Sequence, residues 1–387
     1  MILIILSLLL GSITILVGKG FTKIAFSIST ILLAIVGFLF NPYLAQTQGV
    51  YTDLVRFFNE LTLLDNATLN QVVTSTIEPF KTEYPGLLIN NIVMYIVAKI
   101  KIYNLLPCIA VLFFYGILYV QLYKECKKYS INKYNILLLF WMVYALINIT
   151  EPMDNIRNPI SSLVGVILLY NNLISKFSTP LTFLGYLLIY LIHPSAIIFP
   201  IVNIIVKIKN KFIKYILIVI TFIMTIFSNS ISSNFSGNNT VIFNKIFAYT
   251  GGQSDLINYG TSFQKLLLWI SAFVLIFIIY LFNKYTEENT TEFTEAIILF
   301  IAMFLGASVV AVHIFFRLGF MLNIFILTLL PSVLSNYNEN KGILKSDRTT
   351  RVLPIKLVLY ILLGLTIILN LSWYFGTYAY RSINLGG

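Results

Sequence analysis

Ionisable side chains are scarce in this sequence. Asp, Glu, Lys and Arg make up 11% of 387 residues, where a soluble domain carries about 25%. Such a chain cannot clothe a water-soluble globule. Cysteine and histidine are rarer still, with two of each. Cys108 lies in an apolar run and Cys126 in a lysine-rich segment, so the pair offers neither a structural disulfide nor a metal-ligand spacing. A Gly-rich phosphate loop and a dinucleotide fingerprint are both missing, and nothing points to ATP hydrolysis or a nucleotide-sugar Rossmann site. Acids are the scarcest charge: 15 Asp and Glu stand against 26 Lys and Arg, for a net charge of +11. In a soluble protein that excess would suggest a nucleic acid partner. Here it fits lysines gathered in cytoplasmic loops by the positive-inside rule, and no nucleic acid is expected.

What the chain does have is apolar length. Hydrophobic residues account for 58% of it, mean hydropathy is +0.87, and 24 Tyr and 31 Phe suit membrane interfaces. Only helices and closed barrels satisfy their backbone polar groups in hydrocarbon. Continuous apolar runs select helices. They fall at 1–18, 22–40, 104–122, 135–150, 158–174, 179–192, 195–206, 213–229, 263–282, 294–312, 318–335 and 354–376. The reading is all-α: one polytopic membrane domain over 1–387, with about twelve crossings. Its first run lacks a basic n-region and a small-residue cleavage site, and reads as a retained helix. A further run, 86–98, would reach only about 20 Å as a helix, short of a core of about 30 Å, and reads as re-entrant or interfacial. The runs 179–192 and 195–206 are also short. They read as a hairpin hinged at His193-Pro194, because proline disfavours continuing the preceding turn.

With the N-terminus outside, most lysines fall in the cytoplasm: Lys19 and Lys23, Lys124 to Lys133, Lys176, Lys207 to Lys214, Lys284, and the basic loop 336–353. Loops 41–85 and 230–262 are then extracytoplasmic. The arginines break this pattern. Arg56, Arg157, Arg317 and Arg381 fall outside, and only Arg348 and Arg351 inside. Arginine binds phosphate bidentately and stays charged when partly buried. Arg56, Arg157 and Arg317 each sit at a membrane boundary, in YTDLVRFF, EPMDNIRNP and HIFFRLGF. Snorkelling and local ion pairs account equally well for any one of them. Three on one face favour a phosphate or pyrophosphate site.

Both histidines share that face. His193, where two half-helices meet, can accept a proton from a sugar hydroxyl near neutral pH, or simply cap the hairpin. His313, four residues before Arg317, can position it. Asp53 precedes Arg56 by three residues and can orient it or a histidine. Glu83 and Asp154 lie on the same side as supporting acids, while Glu60 and Asp65 read as solvated. The acids form no metal triad, and no cofactor is expected. Tyr249, in FNKIFAYTGGQ, suits stacking on a sugar ring or an ordinary ordered loop.

These pieces, in this order, resemble the EpsG-like branch of the Wzy-type polymerases of capsule, exopolysaccharide or O-antigen. The carrying motifs are Tyr51-Thr52-Asp53 with Arg56, Glu83-Tyr84-Pro85-Gly86 before a helix, Asn155-Ile156-Arg157-Asn158, His193-Pro194-Ser195-Ala196 and Phe316-Arg317. They span roughly 40 to 335. Asn158 stands where the family usually has Gln, and the first motif is shortened. The resemblance implies a GT-C-like, metal-independent glycosyltransferase in the bacterial cytoplasmic membrane. It would pass a growing glycan from undecaprenyl pyrophosphate to a lipid-linked repeat unit on the outer face. Its partners would be that undecaprenyl-pyrophosphate-linked oligosaccharide, membrane lipids, a flippase and a chain-length regulator. Arg56, Arg157 and Arg317 would bind the pyrophosphate, with His193 and Asp53 catalytic. Competing readings are a flippase or transporter of lipid-linked oligosaccharide, a polysaccharide O-acyltransferase, and a ligase using the same donor.

Overall fold

Each apolar run named above contains a helix in the computed structural model, which describes residues 2–43, 53–77, 80–81, 86–227, 262–285, 290–310, 312–335 and 346–376. Helix makes up 86%, with no strand among the described residues. In chain order the helices are α1 (Ile2–Val17), α2 (Thr22–Leu39), α3 (Asp53–Leu64), α4 (Leu69–Val73), α5 (Leu88–Ile100), α6 (Leu105–Lys128), α7 (Lys133–Leu146) and α8 (Thr150–Asp154). There follow α9 (Arg157–Leu173), α10 (Thr179–Tyr190), α11 (Ile198–Val206), α12 (Lys211–Ile226), α13 (Ser262–Tyr285), α14 (Thr291–Val310), α15 (Val312–Leu334) and α16 (Ser346–Gly376). Among the described residues, six stretches are long and apolar enough to cross a membrane: Lys19–Leu39, Leu105–Lys128, Ser262–Lys284, Thr291–Val309, Ile314–Leu334 and Ile355–Phe375. Several others are apolar but shorter, including α1, α5, α7 and α10. The run at 86–98 is the 13-residue helix α5.

The chain divides into two compact units. The first holds Met1–Ile167, Leu187–Ser195 and Leu327–Gly387; the second holds Leu168–Tyr186 and Ala196–Ile326. In the first, α1, α2, α6 and α7 form a bundle, with α16 packed on α7. The pairing of α2 with α6 is close: a Cβ added at Gly37 would stand 2.9 Å from the Pro107 carbonyl oxygen. Small residues permit such backbone approach where lipid supplies no hydrophobic drive between helices. Polar side chains tie the same bundle, with Ser7 Oγ and Tyr144 Oη 2.5 Å apart and Trp141 Nε1 donating to Ser12 Oγ at 3.1 Å.

Beside this bundle lie shorter helices. Helix α3, DLVRFFNELTLL, buries Leu54, Phe57, Phe58, Leu61 and Leu64, spaced as one amphipathic face. It packs on α5 and on the short α8. The segment read as loop 41–85 thus carries α3 and α4, the latter closed by a Thr68/Gln71 capping box. Gly86 adopts φ +75° just ahead of α5, a backbone region that glycine enters without penalty. Most of loop 230–262, residues 82–85 and residues 336–345 lie outside the described residues. Residues 346–353 begin α16.

In the second unit α14 is central, contacting α11, α12 and α13. Lys214 on α12 and Glu295 on α14 form an ion pair at 2.5 Å, their side chains 9% and 14% exposed. Helices α10 and α11 run antiparallel. Tyr186 stacks on Phe199 at 6.3 Å, Asn203 Nδ2 donates to Tyr186 Oη at 3.4 Å, and Lys207 Nζ reaches Thr179 Oγ1 at 3.4 Å. The turn between them is the His193-Pro194 break, followed by a 3-10 stretch, Pro194–Ile197.

Candidate functional site

The first unit brings two helix N-termini together, and each carries an arginine. Helix α9 begins at Arg157. A positive side chain there opposes the helix dipole, whose N-terminal end is itself positive. The backbone ahead of it is also unfavourable. Ile156 has φ +39°, a genuine outlier for a β-branched residue costing on the order of 1–3 kcal/mol. Around Ile156 the chain makes a three-residue turn, with Arg157 N–H donating to the Asn155 carbonyl at 2.5 Å. The guanidinium is also sequestered, since Arg157 is only 8% exposed. A buried cation, the wrong helix end and a strained turn coincide at one residue. Folding selects none of these, which marks Arg157 as a candidate site residue.

Arg56 lies in the first turns of α3. Its Nη2 is 3.6 Å from Asp53 Oδ1 and its Nε 3.7 Å from Glu60 Oε1. Both guanidiniums gather on one ring: Arg56 Cζ is 5.2 Å and Arg157 Cζ 4.9 Å from the Phe57 centroid. An aromatic face within about 6 Å attracts a cation without neutralising it. Phe57 therefore lies against two like charges without neutralising either. Glu60 corrects the reading of a solvated carboxylate. It is 5% exposed, because its place one turn past Arg56 turns it toward the guanidinium rather than the solvent.

Asp154 ends α8 and crosses to α3, where its Oδ1 accepts the Leu54 N–H at 3.0 Å. It satisfies an N–H in the first turn of α3, as an N-cap side chain does. Burial first, then the neighbouring Asp53 charge, push its carboxyl up to about 8, against the opposing pull of the Leu54 and Asp53 N–H groups. A free carboxyl of this type sits at 3.8, so the folded state holds the proton more tightly than the unfolded one. Stability should then fall as pH rises from about 4 through about 8. Asp154→Asn keeps the acceptor oxygen and cannot ionise, and should flatten thermal stability over that range in detergent. Asp154→Ala loses the cap and should cost about 1–2 kcal/mol near pH 4, a deficit that shrinks as pH rises toward 8.

His193 closes the group. Its Nδ1 is 2.6 Å from Ser195 Oγ, and that hydroxyl donates to Asn158 Oδ1 at 3.2 Å. The turn of the hairpin is thereby tied to the residue after Arg157. Asp53, Arg56, Asp154, Arg157 and His193 all belong to the first unit. Arg317 stands on α15 within the second unit. The backbone of His313 lies in α15, while its side chain, Glu83 and Tyr249 lie outside the described residues. Sequence reasoning missed Phe57, Glu60 and the Ser195–Asn158 link. For Glu60 the i, i+4 spacing from Arg56 was the available signal; the others depend on tertiary pairing.

Fold and site define a helical, multi-pass membrane protein that presents paired guanidiniums beside a hydrogen-bonded imidazole. The chain belongs to the EpsG family, whose model matches residues 69–382, a family of Wzy-like polysaccharide polymerases. Asp53, Arg56 and Glu60 precede the matched region. No curated protein and no solved structure matches the chain.

Proposed function

We propose that this protein polymerises a surface polysaccharide by passing a growing glycan from undecaprenyl pyrophosphate to a lipid-linked repeat unit at the outer face of the bacterial cytoplasmic membrane. The observation that carries the reading is Arg157: a buried guanidinium on a strained helix start, sharing the Phe57 ring with Arg56. The bond from the anomeric carbon to pyrophosphate breaks, and charge grows on the leaving oxygen. Fixed guanidiniums and helix N-terminal N–H groups stabilise that charge as it forms. The acceptor hydroxyl bonds to the anomeric carbon and gives its proton to His193. Undecaprenyl pyrophosphate leaves as the anion. In this reading Asp53 and Glu60 hold Arg56 in register, Arg317 completes the pyrophosphate grip, and His313, Glu83 and Tyr249 support the substrates. The bundle has about twelve crossings on a GT-C-like plan, the shorter helices among them. No metal takes part, and a flippase and chain-length regulator act beside it.

Deleting the protein in its host and resolving the surface glycan by gel tests this. Loss of a polymerase should leave single repeat units outside. Loss of a flippase would leave none outside, and loss of an O-acyltransferase would leave full-length, unacylated chains. Either of these last patterns overturns the proposal.

A further inference from the structure

We propose that the far end of α3 forms a saccharide subsite, in which the Asp65 carboxylate and the Tyr43 ring hold one pyranose of the glycan. The inference rests on the polymerase reading for the identity of that glycan. Asp65 follows Leu64, the last residue of α3. A helix C-terminus is the negative end of its dipole, so a carboxylate there is disfavoured. Asp65 is half-buried and makes no ion pair among the described residues. Lys99 Nζ donates to its backbone carbonyl instead, at 2.7 Å. The carboxylate is reached by one hydroxyl, Tyr103 Oη, at 3.2 Å from each oxygen. A carboxylate offers about four lone-pair directions, and one shared proton leaves most of them to a ligand. An asparagine would accept from Tyr103 equally well, so the tie between α3 and the turn ahead of α6 does not call for the charge.

Aromatic rings stand beside the carboxylate. Phe58 is buried at the base, and Tyr43 and Tyr103 meet it in edge contacts, 6.1 and 6.0 Å between centroids. Tyr43 is 46% exposed. Lys99 Nζ lies 5.2 Å from the Tyr95 centroid and adds ammonium donors to the same surface. A pyranose has a face of C–H bonds and a rim of hydroxyls. The C–H face suits the negative face of an aromatic ring, and adjacent hydroxyls suit two carboxylate oxygens, each a charge-assisted acceptor. A membrane-boundary belt also gathers tyrosine and lysine, but lipid phosphates are anions and repel a carboxylate. Asp65 comes nine residues after Arg56, about 13 Å further along the axis of α3. A sugar held there is a few rings away from the pyrophosphate grip, and one helix fixes the spacing. Such a hold would keep the chain in place between transfers.

The test uses the full-length protein in lipid nanodiscs. The probe is a set of short oligosaccharides cut from the host's own surface polysaccharide, with binding followed by calorimetry. Asp65→Asn keeps an acceptor for Tyr103 and discards the charge. Tyr43→Ala removes an exposed ring. Each should weaken binding about tenfold or more, and Asp65→Asn should unfold at no lower temperature than the wild type. In the host, both variants should shift the glycan to shorter chains rather than to single repeat units. No binding by the wild type, or unchanged binding in Asp65→Asn, overturns the inference. Weaker binding with a matching loss of stability in Asp65→Asn assigns the residue to structure and overturns it too. If Tyr43→Ala does not fold, Asp65→Asn decides alone. Failure of the polymerase reading shows separately, as full-length glycan in the deletion strain.

Discussion

Arg157→Ala should abolish long-chain glycan while leaving the protein at full abundance in the membrane and no less stable than the wild type. The loss of rate should be on the order of 10²–10³, the effect of removing one preorganised donor to a developing anion. Stability should move the other way. The substitution removes a buried positive charge from the positive end of α9 and gives up a cation–π contact worth about 0.5–1 kcal/mol. Arg157→Lys should not restore activity, because a point charge cannot make the two parallel bonds a guanidinium makes to phosphate. Glycan length by gel and thermal unfolding of the purified variants measure the two quantities. Marked destabilisation with normal glycan in the folded fraction would assign Arg157 to structure. Function held against stability is the usual signature of an active-site residue.

The second large effect lies in the other unit and concerns folding alone. Lys214→Met leaves the Glu295 carboxylate, 14% exposed, without the ammonium 2.5 Å away. Breaking one side of a buried pair costs about 3–5 kcal/mol, because the surviving charge stays desolvated. The double variant Lys214→Met with Glu295→Leu should recover most of that loss, since well-packed apolar replacements of buried pairs are close to neutral. Denaturant or thermal unfolding in detergent decides. If the single variant is as stable as the wild type, the pair contributes nothing to the packing of α12 on α14.

The helices were legible because hydrocarbon leaves the backbone no alternative, and apolar length alone marks them. The break at His193-Pro194 was legible for a local reason, the bias a proline imposes on the residue before it. Asp53 and Arg56 could be paired from their spacing within a single helix. Asp154 could not be seen as the cap of α3, because it stands 100 residues further along the chain. The same holds for Ser195 on Asn158, which are 37 residues apart. Such partners are chosen by packing and leave no periodic trace. Phe57 belongs to the apolar face of α3, and only the two cations drawn to its ring set it apart.

The brevity of the hairpin limits how far either arm can reach. Twelve residues of α10 rise about 18 Å, little more than half of a hydrocarbon slab about 30 Å thick. Neither α10 nor the nine-residue α11 spans such a slab alone. Irregular backbone at membrane depth is tolerated only against protein or water, so a turn like the one at His193-Pro194 calls for neighbours other than acyl chains.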